Sequence, residues 1–145
     1  MSVKENLEMG AYLHGGGTKE DFERVYSLFP LLYERRSQLA GTLSGGEQQM
    51  LALGRALMLH PVLLMVDELS LGLAPVVVAE LMELLGRLHR DGVTILVVEQ
   101  HATLAMDAAE RVVFMEKGQV RFSGPSRELR GRDDLLRSVF LGGEQ

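Results

Sequence analysis

The chain has 145 residues, 46% of them hydrophobic, a formal net charge of −5 and no cysteine. This length and composition favour one domain with a hydrophobic core, and the missing cysteines exclude disulfides and thiolate metal sites. The acidic charge argues against nonspecific nucleic-acid binding. No apolar run reaches the ~18 residues of a membrane-spanning helix. The first residues, MSVKENLEMG, lack the apolar core of a secretory signal, so we expect a cytoplasmic protein.

The first third of the chain predicts helices. Two short helices, Val3–Leu13 and Lys19–Phe29, are separated by a run of three glycines, and Pro30 is expected to end the second. The charged segment Leu31–Thr42 reads as irregular. A further helix is expected to start near Gly45.

The remainder alternates between strands and helices. The predicted elements are a strand at Val62–Val66, a helix at Pro75–Arg90, a strand at Val93–Val98, a helix near Thr103–Ala109, strands near Arg111–Glu116 and Gln119–Ser123, and C-terminal helices. The first two strands are continuous apolar runs, as expected when helices cover both faces of a parallel sheet. The sequence therefore predicts an α/β fold with a mostly parallel sheet, flanking helices and a helical subdomain.

The segment LSGGEQQ contains the signals of a helix start. Ser44 suits the N-cap, and Glu47, three residues later, completes a capping box. Gly45 and Gly46 have no side chains, so an anion such as phosphate could approach the backbone N–H groups and the positive end of the helix dipole. An ordinary capped helix, with glycines that ease packing, is the alternative.

The segment LLMVDE ends a buried strand with two carboxylates, Asp67 and Glu68. Ligands of open α/β sheets bind at this edge. Asp67 suits a hydrated Mg²⁺ and Glu68 suits polarisation of an attacking water, as metal-assisted phosphoryl transfer requires. The alternative is a pair of polar residues in a turn.

Four ordered motifs together resemble a known family. LSGGEQQMLALGRAL, LLMVDE, SLGLAP and TILVVEQ look like the signature motif, the Walker B strand, the D-loop and the switch region of the ATP-binding subunit of ABC transporters, which has a P-loop NTPase fold. Within that family, SLGLAP, VEQ and SVKENLEMGAY resemble the smaller ATPase subunit of branched-chain amino-acid importers. Importers of urea and short amides are similar.

The resemblance implies a role for each matching residue. The residues expected to contact ATP on the partner subunit are Ser44, Gly45, Gly46 and Gln48. Asp67 is expected to be associated with Mg²⁺ without being a direct ligand of the metal, and Glu68 and Gln100 are expected to be catalytic. The D-loop comprises Leu71, Gly72, Leu73 and Ala74. The implied cofactors are ATP and Mg²⁺.

Three departures from the family pattern affect these expectations. No phosphate-binding loop of the form GxxxxGKS or GxxxxGKT occurs in the sequence. Gln100 aligns with the family's switch histidine, whereas His101 reads as a loop residue that caps the next helix. Leu69 replaces the usual proline after the catalytic glutamate, so Glu68 is expected to be less constrained and the catalytic geometry weaker.

The chain is therefore interpreted as the C-terminal part of one N-terminally truncated ABC ATPase domain. Residues 1–60 would form a mostly helical subdomain with the signature motif, and residues 61–145 the Walker B strand, D-loop, switch region and C-terminal elements. Without the phosphate-binding loop, the chain alone is expected not to hydrolyse ATP. The alternative function is a non-catalytic module that lends its signature helix to an intact ATPase.

The resemblance also implies partners. They are a second ABC ATPase subunit in a head-to-tail dimer, membrane permease subunits and, indirectly, a substrate-binding protein, whereas no nucleic acid is expected. The chain would then lie on the inner face of the cell membrane, held there by the permease subunits.

Overall fold

The computed structural model describes residues 1–130. The chain divides into two compact units, Met1–Leu96 and a second unit that starts at Val97. The division falls inside the strand Thr94–Val98.

Four α-helices form the first part of the first unit. They are α1 (Val3–Gly10), α2 (Lys19–Leu28), α3 (Pro30–Glu34) and α4 (Gly45–Leu57), with short 3-10 turns at Tyr12–His14 and Ala40–Thr42. Capping boxes begin α1, α2 and α4, where a Ser or Thr hydroxyl accepts from the N–H of an acidic residue that in turn accepts from the cap backbone. The expected helix at Gly45 is confirmed.

The second predicted helix ends before Pro30 as expected, whereas the expectation for the residues after Pro30 is wrong. Helix α2 ends at Leu28, and Phe29, before the proline, has non-helical φ −131° and ψ 76°. Pro30 also opens α3, since a proline at the first helical position lacks only an N–H that would have no partner there. The segment Leu31–Thr42 is consequently not irregular throughout. Leu32, on α3, is fully buried, and this burial favours the helical turn over a solvated loop.

Helix α4 packs closely on its neighbours because glycines stand at the contacts. A Cβ atom built on Gly54 would lie 3.1–3.2 Å from side-chain atoms of Leu32, Val25 and Leu7. A Cβ atom on Gly10 would lie 2.3 Å from the backbone carbonyl oxygen of Arg55. A side chain at Gly10 would therefore force the helices apart, and one at Gly54 would require its neighbours to shift by a few tenths of an ångström.

The first unit continues with a strand, a helix and most of a second strand. These are β1 (Leu63–Asp67), α5 (Pro75–Arg90) and β2 (Thr94–Val98), and β1 and β2 pair as a two-stranded sheet. The N–H of Thr94 donates to the carbonyl of Val62 over 2.9 Å. The α/β fold class is confirmed, and so is the buried stripe of α5 at Leu81, Leu84, Leu85 and Leu88.

The expectation that helices cover both faces of these strands is not met in the described part of the chain. Burial along β1 and β2 alternates, so one face of each strand is exposed. Leu63, Met65, Leu96 and Val98 are 48–67% exposed. The continuous apolar runs therefore do not indicate that both faces are covered, because the described helices leave one face of β1 and β2 exposed.

The second unit, up to residue 130, consists of α6 (Ala102–Ala108), β3 (Arg111–Glu116), β4 (Gln119–Pro125) and α7 (Ser126–Arg130). Strands β3 and β4 form an antiparallel hairpin. Arg130 forms an ion pair with Asp107 and donates to the carbonyl of Met106, which joins α7 to α6. Any predicted helix after Arg130 lies outside the described residues.

Candidate nucleotide-facing site

The start of α4 has the geometry that the sequence predicts. Ser44 is the N-cap, with φ −63° and ψ 162°, and its hydroxyl accepts the N–H of Glu47 over 3.4 Å. The carboxylate of Glu47 accepts the N–H of Ser44 over 2.8 Å. Because the N–H groups of Gly45 and Gly46 belong to the first turn, they have no carbonyl partner within the helix.

The signature motif and the D-loop lie side by side. Gly45, Gln48, Gln49, Leu71, Gly72 and Leu73 line one open pocket of about 350 Å³. The side-chain amide of Gln48 donates to the carbonyl of Leu43 over 3.1 Å, which holds this side chain against the helix start. The structure therefore brings together two motifs that are more than 20 residues apart in the sequence.

The two glycines of the signature motif differ in their surroundings. A Cβ atom on Gly46 would lie 3.0 Å from Cγ1 of Val77, whereas one on Gly45 would lie 3.7 Å from Cδ2 of Leu73, an ordinary contact. Gly46 thus permits close packing against α5. Gly45 has room for a methyl group, and a side chain there would project beside the pocket.

Asp67 and Glu68 follow β1 as predicted. Asp67 is exposed at the last position of the strand, and Glu68 is half-buried with φ +49°, in the left-handed region that non-glycine residues rarely adopt. Leu69 is only 1% exposed. The burial of Leu69 anchors the turn beside Glu68, and the expectation that Glu68 is less constrained without the usual proline stays a prediction.

Gln100 and His101 belong to the second unit, and both are exposed. His101 is at the N-cap of α6, but its side chain makes no capping hydrogen bond. The expected place of His101, in the loop at the start of the next helix, is confirmed, and its carbonyl accepts the N–H of Ala105 over 3.1 Å.

Arg35 is a site neighbour that the motifs do not predict. Its guanidinium contacts both carboxylate oxygens of Glu47, with Nη2 to Oε1 at 3.0 Å and Nη1 to Oε2 at 3.3 Å. The hydrogen bond from the backbone of Ser44, followed by smaller effects of the Ser44 hydroxyl and Arg35, lowers the pKa of Glu47. The charged run ERR was the only sequence signal, and nothing in it indicates which arginine meets Glu47.

Residues 1–130 contain neither a metal-binding cluster of side chains nor a membrane-spanning helix. No group of three or more histidine or carboxylate side chains is placed to hold a metal ion. No helix in this range combines the length and apolar character needed to cross a bilayer.

Comparisons with known proteins relate this fold and its motifs to the ATP-binding proteins of ABC transporters. Residues 1–70 match the family model described as ABC transporter. The chain is 44% identical, over 99% of its length, to the high-affinity branched-chain amino acid transport ATP-binding protein BraG of Pseudomonas aeruginosa. It is 34% identical, over 89% of its length, to the probable branched-chain amino acid transport ATP-binding protein LivF of Archaeoglobus fulgidus.

A solved ATP-binding cassette of an ABC transporter, in its ADP conformation, superimposes on 98% of this chain with a TM-score of 0.80 at 24% identity, and 63% of that cassette is covered. This likeness supports the fold. The chain belongs to the ABC transporter ATP-binding family. It spans 61% of the length of the first relative and 56% of the second.

Proposed function

We propose that this chain supplies the signature helix and D-loop of an ATP-hydrolysing subunit of an ABC importer. The observation that carries the proposal is the capped start of α4, where Gly45 and the D-loop residues line one open pocket. The N–H groups of Gly45 and Gly46, at the positive end of a 13-residue helix, suit the γ-phosphate of an ATP held by a partner ATPase subunit. Ser44 and Gln48 flank that position.

Asp67, Glu68 and Gln100 would serve a second nucleotide site. A single exposed carboxylate at Asp67 suits a water-mediated contact with Mg²⁺, since a direct metal cage would need more oxygen ligands. The metal would neutralise phosphate charge. Glu68 would orient the attacking water, and Gln100 would make a polar contact to the γ-phosphate.

The proposed cargo is a branched-chain amino acid. The support is the identity to two relatives whose names state that transport, over 99% and 89% of this chain. Membrane permease subunits would hold the ATPase at the inner face of the cell membrane, and a substrate-binding protein would deliver the amino acid to them. Urea and short amides are the competing cargoes.

The 145-residue chain by itself should not hydrolyse ATP. Its sequence contains no GxxxxGKS or GxxxxGKT loop, whose N–H groups and lysine hold the β- and γ-phosphates in this class. Phosphate release by the purified chain that disappears in Glu68→Gln would contradict this. The non-catalytic alternative, a module that lends α4 to an intact ATPase, predicts the same inactivity of the chain alone. The two hypotheses differ in a native complex, where Glu68→Gln should lower ATP turnover only if this chain is itself catalytic.

The test of the proposal is ATP-dependent pairing. The chain is mixed with an intact relative that has the phosphate-binding loop, and sedimentation is measured with and without Mg²⁺ and ATP. Gly45→Ala should weaken pairing at least tenfold, because its methyl group would project beside the phosphate position without clashing in the free chain. Gly41→Ala is the matched control, since its Cβ would meet no atom within 4 Å. Equal affinities of the two variants would refute the assignment of the site.

A further inference from the structure

Arg35 and Glu47 form a two-point ion pair at the base of the signature helix. The distances are 3.0 and 3.3 Å, and the side chains are 38% and 16% exposed, so the contact is partly shielded from water. Paired hydrogen bonds between a guanidinium and a carboxylate fix the relative orientation of the two groups, which a single contact does not.

Glu47 transmits this contact to the cap. The carboxylate oxygen that faces Nη1 of Arg35 also accepts the N–H of Ser44 over 2.8 Å. Since the Ser44 hydroxyl accepts the N–H of Glu47, the cap is a closed ring of two hydrogen bonds. Any rotation of the carboxylate therefore also shifts Ser44, the residue directly before Gly45.

The other end of Arg35 is anchored in the helical region. Its N–H donates to the carbonyl of Leu31 over 3.0 Å at the end of α3. The carbonyls of Arg36 and Gln38 accept the N–H groups of Lys4 and Val3, which ties the segment after α3 to α1. Arg35 thus connects the start of α4 to a backbone that is held on two sides.

We infer that Arg35 is a positioning residue for the phosphate-facing turn Ser44–Gly46, an inference that rests on the proposed function. Acting through Glu47, it fixes the direction in which the N–H groups of Gly45 and Gly46 point. It also neutralises a carboxylate in the first turn of α4, where an unpaired negative charge would repel phosphate. A capping box alone starts the helix but does not fix it relative to α3.

The next residue is a natural control. Arg36 has the same side chain but lies over the ring of Tyr33, with 4.3 Å from its guanidinium carbon to the ring centroid, and donates to the carbonyl of Tyr33 over 2.8 Å. Within residues 1–130, its side chain forms no hydrogen bond or ion pair with Ser44 or Glu47. Arg36→Gln therefore removes the same charge from the same segment and leaves the contact to Glu47 in place.

The first measurement uses the chain alone. Amide hydrogen exchange at Ser44 and Glu47 should become about 3- to 10-fold faster in Arg35→Gln and stay unchanged in Arg36→Gln. Arg35→Lys keeps the charge but loses the fork, so it should lie between Arg35→Gln and the parent chain, and it remains informative if Arg35→Gln does not fold. Equal exchange in the Arg35 and Arg36 variants would overturn the inference.

The second measurement is the Mg²⁺-ATP-dependent dissociation constant with an intact relative. Arg35→Gln should raise it about tenfold and Arg36→Gln should not. The double variant Arg35→Gln with Glu47→Gln should bind no more weakly than whichever of the single variants Arg35→Gln and Glu47→Gln binds more weakly, because both substitutions remove the same contact. Additive losses would overturn the inference. If the parent chain does not pair at all, the proposed function fails, and the exchange comparison still decides the role of Arg35.

Discussion

The helices at residues 1–57 and the strands β1 and β2 differ in how completely they bury their apolar side chains. In the helical region, Val3, Leu7, Val25, Leu32 and Leu57 are completely buried. In the strands, every second apolar residue is exposed, including Met65 at 67% and Val98 at 54%. Strongly apolar sequence therefore guarantees burial only where the partner elements are present to supply the other surface.

The largest expected effect tests this contrast directly. Leu57→Ala removes a fully buried side chain from α4 and should lower the free energy of unfolding by ~2–5 kcal/mol, because it loses apolar contacts and leaves a cavity. Leu63→Ala makes the same change at a residue 48% exposed on β1 and should cost about 1 kcal/mol or less. Urea unfolding followed by circular dichroism compares them. Similar losses would mean that the exposed strand face is covered in solution.

A second pair of variants should change stability in opposite directions. Gly10→Ala places a methyl group 2.3 Å from a backbone oxygen of α4, so the helices must separate, at a cost of about 1–3 kcal/mol. Gly86→Ala, in the interior of α5, meets only the end of the Arg90 side chain at 3.7 Å and should stabilise by up to ~1 kcal/mol. Thermal unfolding of both variants provides the comparison. A stabilised Gly10→Ala would contradict the close contact of α1 and α4.

Low pH should lower the stability of the helical region by protonating the capping carboxylate of α2, Asp21. The hydrogen bond from the Thr18 backbone, together with His60, lowers the pKa of Asp21 from 3.8 to about 2. A carboxyl group whose pKa is lower in the folded state than in the unfolded state stabilises the folded state at a pH above its unfolded-state pKa. This contribution is lost as the pH falls to the folded-state pKa. The helical signal should therefore lose stability between about pH 4 and pH 2.

The matched variant for this pH effect is Asp21→Asn. It removes the titrating group while keeping an acceptor at the third helical position, so the loss of stability between pH 4 and pH 2 should be smaller than in the parent chain. The measurement is the urea midpoint at several pH values. An unchanged pH profile would show that Asp21 does not contribute to the acid sensitivity.

The smallest expected effect concerns the hairpin of the second unit. Lys117 and Gly118 connect β3 to β4 with φ +49° and +77°, the positive pair of a two-residue turn. Asparagine tolerates the left-handed region better than lysine, so Lys117→Asn should stabilise the hairpin by a few tenths of a kcal/mol, at most ~1. Slower amide exchange across β3 and β4 would be the sign. Faster exchange would contradict the turn assignment.

Local signals made much of this molecule predictable. The capping pair Ser44 and Glu47, the leucine spacing of α5 and the apolar runs of β1 and β2 each depend on a few neighbouring residues, and all these elements appear within one or two residues of their expected bounds. The roles of the site residues remain predictions. The short helix α3 was not predicted, because a proline can mark both the end of one helix and the start of the next, and only the burial of Leu32 shows that Pro30 does both.

By itself, the sequence determined the order of the strands and of the longer helices, the capped start of α4 and the family motifs, because hydrophobic period, capping and turn chemistry act over about four residues. Only the tertiary structure decided that Gly45 and Leu73 line one pocket, that Arg35 and not Arg36 meets Glu47, and that one face of β1 and β2 is exposed. These features depend on side chains that are distant in the chain and on which surfaces the packed helices cover. No local pattern specifies either.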